Sequence, residues 1–533
     1  MTKIYDYIVV GAGTAGCLLA NRLSSRKDKK VLLVEAGPRP RSLWVNMPAG
    51  VSKLIFPGPL NWGFQTEEEP YLHNRRVYAP RGRGLGGSSL INGMGFFRGQ
   101  AQDFDDWHAL GVTGWSWDEL LPLYMKLETR PGTRSPRRGV SGELYISDAR
   151  FVHPATHDFI AAARASGIPY NGDFNDASAE GVGPMQFNIK GGARHSSDKA
   201  FLYTVEKSRA NLEILTGAQV ARVLVEDAAA TGIEVVEQGE RRTIRCSGEV
   251  ILCAGAFGSP HLLMHSGLGP GSELQSLGIP VRADLPGVGR NLQDHLYIHH
   301  TFGCDPRSSM NASFTGVRAL LHGARYLLTR GGPLTTGASQ ACAFVKSSPQ
   351  VSRADLQIAF RPVSWSFGSD GTLTIGKDPE LTVSVCNLRP GSRGCVRLAS
   401  ADPLAAPRIQ ANYLGTEGDR DIAVKAVRTV RRIFGHAPLA SHITAEKAPG
   451  PGVGTDTDIL DYVQRTAQSM HHWAGSCRMG ADADTDAVVD SQLRVRGVRR
   501  LRVADASVLP RIVSANTNAV TYLVAEKAAT FFP

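Results

Sequence analysis

Tyr7-Ile8-Val9-Val10-Gly11-Ala12-Gly13-Thr14-Ala15-Gly16 is the stretch that decides the fold. Its first four residues are apolar and mostly β-branched, as in a buried strand. The glycines at 11, 13 and 16 form a GxGxxG turn, and Cys17-Leu18-Leu19-Ala20-Asn21-Arg22-Leu23 reads as the helix after it. Val31-Leu32-Leu33-Val34 is a second buried strand, ending on Glu35. Strand, glycine turn, helix, strand and acid thus follow within about thirty residues, the spacing of a dinucleotide-binding unit. Gly11 permits the tight turn, Gly13 lets a pyrophosphate approach the backbone, and Gly16 lets helix and strand pack closely. The helix N-terminus at Thr14 and Ala15 offers N–H groups and partial positive charge to phosphates. Glu35, with Ala36 beside it, is placed to accept hydrogen bonds from ribose hydroxyls. This spacing does not separate FAD from NAD. The chain has no second such unit, which argues against a separate NAD domain.

Composition bounds the rest. The 533 residues are 42% apolar and 20% charged, ordinary for a globular protein with a large core. The net charge of +10 is scattered, and no basic run is interleaved with aromatics, so no nucleic-acid partner is expected. A basic face suits an electron-accepting partner or an anionic membrane surface. Eight cysteines without a CxxC pair read as buried thiols in a reducing compartment. With no charged-then-apolar leader and no 18-residue apolar span, the expected location is cytoplasmic, with peripheral contact on the inner face of the membrane left open.

Further on, Arg81-Gly82-Arg83-Gly84-Leu85-Gly86-Gly87-Ser88-Ser89-Leu90-Ile91-Asn92-Gly93-Met94 lets backbone amides crowd a flat or anionic ligand. The run from Leu85 to Met94 resembles the first signature of the glucose–methanol–choline (GMC) flavoprotein oxidoreductases. Gly255-Ala256-Phe257-Gly258-Ser259-Pro260-His261-Leu262-Leu263-Met264-His265-Ser266-Gly267-Leu268-Gly269 resembles their second, and Pro286–His295 is in the family's style. In its own terms the second run reads as a short helix with Ser259 as N-cap and Pro260 at its first position. His261 and His265 lack the Glu of an HExxH pattern, and no metal is expected.

The resemblance implies an α/β fold, α+β overall. A Rossmann-like FAD domain is interleaved with a substrate domain on a mostly antiparallel sheet flanked by helices. The expected division is 1–106, 195–295 and 466–533 for FAD, and 107–194 and 296–465 for substrate. It implies that Gly87, Ser88, Asn92, Gly93 and Met94 hold the flavin, that the Val220 backbone lies against the adenine, and that Asp505 and Ala506 meet the pyrophosphate and ribitol. Some relatives attach FAD to a histidine at the position of Ile91, so FAD is expected to be non-covalent here.

Flavin-dependent alcohol oxidation needs a base near working pH, which suits histidine. In His471-His472-Trp473-Ala474-Gly475-Ser476-Cys477-Arg478-Met479-Gly480, His472 stands where the family has its catalytic histidine, with His471 as the lesser alternative. The resemblance places Asn518 at the family's second active-site position, where it would orient the substrate hydroxyl. Thr517 would begin the helix aimed at the flavin N1–C2=O edge. Phe96, Phe360, Trp365 and His471 are the expected substrate-lining residues, favouring a primary alcohol with an apolar or aryl body. The expected acceptor is O2 or a quinone or carrier, and the protein is expected as monomer or homodimer. Two other readings stay open: a hydroxynitrile lyase and a non-redox FAD protein on the same fold.

Overall fold

A computed structural model describes residues 3–367 and 373–532. Two seven-stranded sheets organise it. The first has the order Leu212–Thr216, Val31–Glu35, Ile4–Val10, Glu240–Leu252, Ala229–Glu237, Ala218–Glu226, with Leu501–Val503 also pairing Glu240–Leu252. The pairings around Ile4–Val10 are parallel, and the last two in the order are antiparallel. Ile8, Val9, Val31 and Leu33 are fully buried, as a parallel sheet covered on both faces requires.

The glycine turn behaves as its spacing predicts. Gly11 has φ +96°, and a Cβ there would stand 2.6 Å from the Cys253 carbonyl oxygen. A Cβ on Gly16 would stand 1.8 Å from the Gly11 oxygen. Backbone therefore packs directly on backbone, and the helix Thr14–Ser24 starts with its N-terminus uncapped by any side chain.

The second sheet is antiparallel throughout its main path: Ile443–Ala448, Leu296–Cys304, Glu380–Asn387, Leu356–Arg361, Ala341–Val345, Gly181–Pro184. Alternation along its strands separates two faces. Leu356, Ile358 and Phe360 point to a core shared with the helices Pro154–Ala165 and Glu417–Phe434. Phe360 stacks on Phe159 with ring centroids 4.7 Å apart. Gln357, Ala359 and Arg361 point to the opposite face, towards the first sheet's turns.

One local expectation is corrected. The helix bearing the second signature runs Gly255–His265, so Ser259 and Pro260 lie inside it, not at its start. Pro260 lacks the N–H that would serve the Ala256 carbonyl. Ser476, far along the chain, donates to that carbonyl instead at 2.5 Å. Ser259 Oγ donates to Asp505 at 2.6 Å, which joins this helix to the last strand of the first sheet.

Candidate active site

A cavity of about 1260 Å³ lies between the two sheets and reaches from Glu35 to Trp365. Gly11, Gly13, Thr14, Ala15, Ala36, Gly87, Ser88, Asn92, Gly93, Met94, Val220, Asp505, Ala506 and Thr517 all line it, as do His471, His472 and Asn518. Gly16 lies beneath it, consistent with its packing role. Phe96 and Phe360 do not line it. Phe96 is 3% exposed and turned into the core while its neighbour Gly95 faces the cavity, and Phe360 is on the wrong face of its strand.

The cofactor end is made of backbone. Thr14 opens a helix without a side-chain cap, and no side chain fills the space above Gly13, whose Cβ would find only Gly87 Cα at 4.0 Å. Glu35 is buried and accepts from the amides of Ala12 (2.8 Å), Gly37 (2.9 Å) and Gly84 (2.9 Å). A carboxylate has about four acceptor sites, so little capacity is left for a ribose. Its first task is to tie the glycine turn to two other loops. Burial raises its pKa, and the three amides oppose that shift. Asn92 is locked in turn: Arg194, 1% exposed, donates to its side-chain and main-chain oxygens at 2.7 Å each. Met94 follows at φ 62°. Uncapped amides, an open glycine floor and a locked Asn92 fit a dinucleotide carrying a flavin.

The catalytic end is built on histidines. His295 Nε2 lies 3.0 Å from the Leu388 carbonyl oxygen, which can only accept, so that nitrogen carries a proton. Burial holds the His295 pKa down at about 4, so its Nδ1 is a bare lone pair at neutral pH. His472 Nδ1 lies 2.9 Å from it and must donate. His472 Nε2 is thereby left as a free lone pair, with no partner among the described residues, on a side chain that lines the cavity. Burial first, and then His295, His471 and Arg81, push the His472 pKa well below its ordinary value. Its main-chain amide donates to Asp294 at 2.6 Å, and Tyr413 and Ser469 donate to the same carboxylate. Burial raises Asp294 to about 6 against these donors. His471 sits at φ 65° and lines the cavity, and among the described residues it has no such tautomer-fixing partner and its buried Nδ1 is unpaired.

The two asparagines at the start of the last helix have different partners. The helix is Thr517–Ala529, so Asn518 is its second residue and not a cap. Asn518 Oδ1 accepts from Thr14 Oγ1 at 2.8 Å, on the cofactor side. Asn516 reaches the roof sheet, where its Oδ1 accepts from Gln357 Nε2 at 3.2 Å. The sequence reading passed over Asn516, Gln357, His295 and Arg194. Only His295 carried a signal, as the last residue of the Pro286–His295 run.

Comparison with known proteins agrees. Models of the GMC oxidoreductase family match residues 5–297 and 390–525. The chain belongs to the GMC oxidoreductases, and it is an FAD-dependent oxidoreductase. It is 41% identical to an "alcohol dehydrogenase [acceptor]" of Pseudomonas putida, covering 99% of this chain and 95% of that one. It is 39% identical to an oxygen-dependent choline dehydrogenase of Vibrio vulnificus (strain YJ016), over 99% and 94%. The crystal structure of pyridoxine 4-oxidase from Mesorbium loti superposes with a TM-score of 0.89 at 31% identity, over 99% and 98%.

His295→Leu removes the acceptor for His472 Nδ1 and frees the ring to take the wrong tautomer. General-base catalysis is worth about 10²–10⁴-fold, so the rate of anaerobic flavin reduction should fall tenfold or more while FAD stays bound. His295→Gln, which keeps an acceptor, should lose less. A leucine variant with wild-type rates would contradict the assignment.

Proposed function

We propose that the chain oxidises a primary alcohol to an aldehyde, with His472 as the base. The free Nε2 lone pair of His472, facing the cavity, is the observation that carries this reading. His472 Nε2 takes the hydroxyl proton of R–CH2–OH, and the imidazolium that forms keeps its Nδ1–H bond to His295. Asn516, braced by Gln357, offers its amide N–H groups to the substrate oxygen and fixes which hydrogen leaves. Bound FAD supplies the two-electron acceptor to which the α-hydrogen passes as hydride. Asn518, anchored to Thr14, belongs to the cofactor side together with the uncapped helix N-terminus at Thr517. FAD is held without a covalent bond, since Ile91 offers no nucleophile. Met185, Met310, Phe314, Val363 and Trp365 among the lining residues suit an apolar or aryl body. No observation favours a lyase or a non-redox role.

Purified holoenzyme titrated anaerobically with primary alcohols should lose its flavin colour, and His472→Ala should lose it at least a hundredfold more slowly. Fast recovery in air with peroxide assigns O2 as acceptor, and slow recovery assigns a quinone or carrier. Colour unchanged by every alcohol would overturn the reading.

No helix among the described residues is long and apolar enough to cross a membrane. The helix Gly316–Thr329, whose Ala319, His322 and Gly323 line the cavity, nonetheless exposes Val317 (71%), Leu320 (74%), Leu321 (64%) and Leu328 (84%). Their spacing makes one apolar stripe, accompanied by Arg318 and Arg325. With a net charge of +10, the stripe supports peripheral contact with an anionic bilayer. Cosedimentation with phosphatidylglycerol vesicles should be lost in Leu320→Gln/Leu321→Gln. Equal binding by this variant, or none by the parent, would refute the contact.

A further inference from the structure

The face of the roof sheet that looks into the cavity is polar, and its charge is of one sign. Strand register places Gln357 opposite Cys386 and Tyr297, then Ala359 opposite Ser384 and His299, then Arg361. Arg361 is only 6% exposed, yet no ion pair is made to it among the described residues. Its Nη1 donates to Ser384 Oγ and the guanidinium also shares a side-chain hydrogen bond with Tyr297, so only part of its five N–H donors is engaged among those residues. The guanidinium is held between two rings, with Cζ 5.4 Å from the Tyr297 centroid and 5.2 Å from that of Trp365. Its neighbours add no negative charge. Burial and Arg361 hold His299 at about 3, and His299 Nδ1 lies 2.6 Å from Ser384 Oγ. Burial also keeps the Tyr297 phenol protonated.

Among the described residues, the two carboxylates that line the cavity, Glu35 and Asp505, are at the cofactor end and already engaged. Glu35 accepts three amides, and Asp505 accepts from Gly255, Ser259 and Ser507. The remaining fixed charges that line the cavity are Lys53 and Arg81, both cationic. A buried guanidinium with spare donors and no counter-ion among the described residues calls for an anion that arrives from outside. Its planar fork matches a carboxylate. The same surroundings disfavour a quaternary ammonium group, which needs an anionic or open aromatic cage. Here the faces of Tyr297 and Trp365 are already occupied by Arg361.

We propose that Arg361 seats an anionic group on the substrate, so that the enzyme prefers an alcohol carrying a carboxylate at its far end and discriminates against cationic alcohols such as choline. The inference rests on the alcohol-oxidising reading and deepens it. The Tyr297 hydroxyl and the unengaged Arg361 N–H groups would donate to the carboxylate, while the hydroxymethyl end lies at His472 and Asn516.

Matched pairs test it in the holoenzyme: 4-(hydroxymethyl)benzoate against benzyl alcohol, and 6-hydroxyhexanoate against 1-hexanol. The expected kcat/KM ratio is at least about tenfold in favour of the carboxylate (about 1.4 kcal/mol), carried mainly by KM. In Arg361→Gln the ratio should collapse towards one, and Arg361→Lys should restore part of it. As a binding readout independent of turnover, benzoate should perturb the flavin absorbance at lower concentration than benzamide or benzyltrimethylammonium, and should lose that advantage in Arg361→Gln. If that variant does not fold, the wild-type ratio and the benzoate–benzamide comparison still decide. A ratio of one in the wild type, an unchanged ratio in a folded Arg361→Gln, or tighter binding of the ammonium probe would overturn the proposal. If no alcohol bleaches the flavin while benzoate still binds through Arg361, the alcohol reading fails and the anion seat stands.

Discussion

The hydrogen bond between His295 Nδ1 and His472 Nδ1, with the one from His295 Nε2 to the Leu388 carbonyl, ties together three segments. His295 stands just before the roof strand Leu296–Cys304, Leu388 just after the strand Glu380–Asn387, and His472 in the loop after Gln468–Ser469. A carbonyl at one end dictates the protonation of the next ring, and that ring dictates the tautomer of His472. The direction of the chain matters more than its strength. Each neutral hydrogen bond contributes only about 0.5–1.5 kcal/mol net, but reversing the tautomer would present an N–H to the cavity in place of a lone pair. Asp294 supports the same loop from below. Removing its carboxylate from water costs several kcal/mol. Donors from Tyr413, Ser469 and the His472 amide, at about 1.5–3 kcal/mol each for bonds to a charged group, offset that cost.

The cofactor end works on the opposite principle. It avoids side chains, because a phosphate is best met by amides at a helix N-terminus and a ring by bare backbone. Gly11, Gly16 and Gly87 are therefore fixed by contact: each added Cβ would stand within 2.6 Å of backbone. Thr14 links the two ends, since its hydroxyl donates to Asn518 at the start of the last helix. The N-termini of the helices Thr14–Ser24 and Thr517–Ala529 are thus held in fixed relation. On the proposed reading, the substrate face then needs only a base, an aligning amide and a seat for the far end of the alcohol.

The parts of this arrangement readable in the sequence are those whose constraint is local. A GxGxxG turn between two apolar runs depends on glycine itself, and the antiparallel roof follows from the family resemblance carried by the two signatures. His472 is singled out in the sequence by the family motif that continues through Gly475, Ser476, Cys477, Met479 and Gly480, and the structure puts it on the cavity wall. The misreadings share one cause, which is that direction is set by partners far along the chain. Phe360 and Arg361 are adjacent in an apolar strand, and only pairing with Glu380–Asn387 decides that the arginine faces the cavity. Asn516 and Asn518 are two residues apart, and the true helix start gives the first to the roof and the second to Thr14. Pro260 looks like a helix start until Ser476 is seen to serve the carbonyl that proline abandons.

The imidazole 15N spectrum of the histidine-labelled holoenzyme at neutral pH, assigned with single His295 and His472 variants, tests the central claim most directly. The account predicts a neutral His472 with a protonated Nδ1 and an Nε2 at the shift of a bare lone pair, together with a His295 protonated at Nε2. A His472 protonated at Nε2, or one carrying both protons, would contradict it, because the atom facing the substrate would then have no capacity to accept a proton.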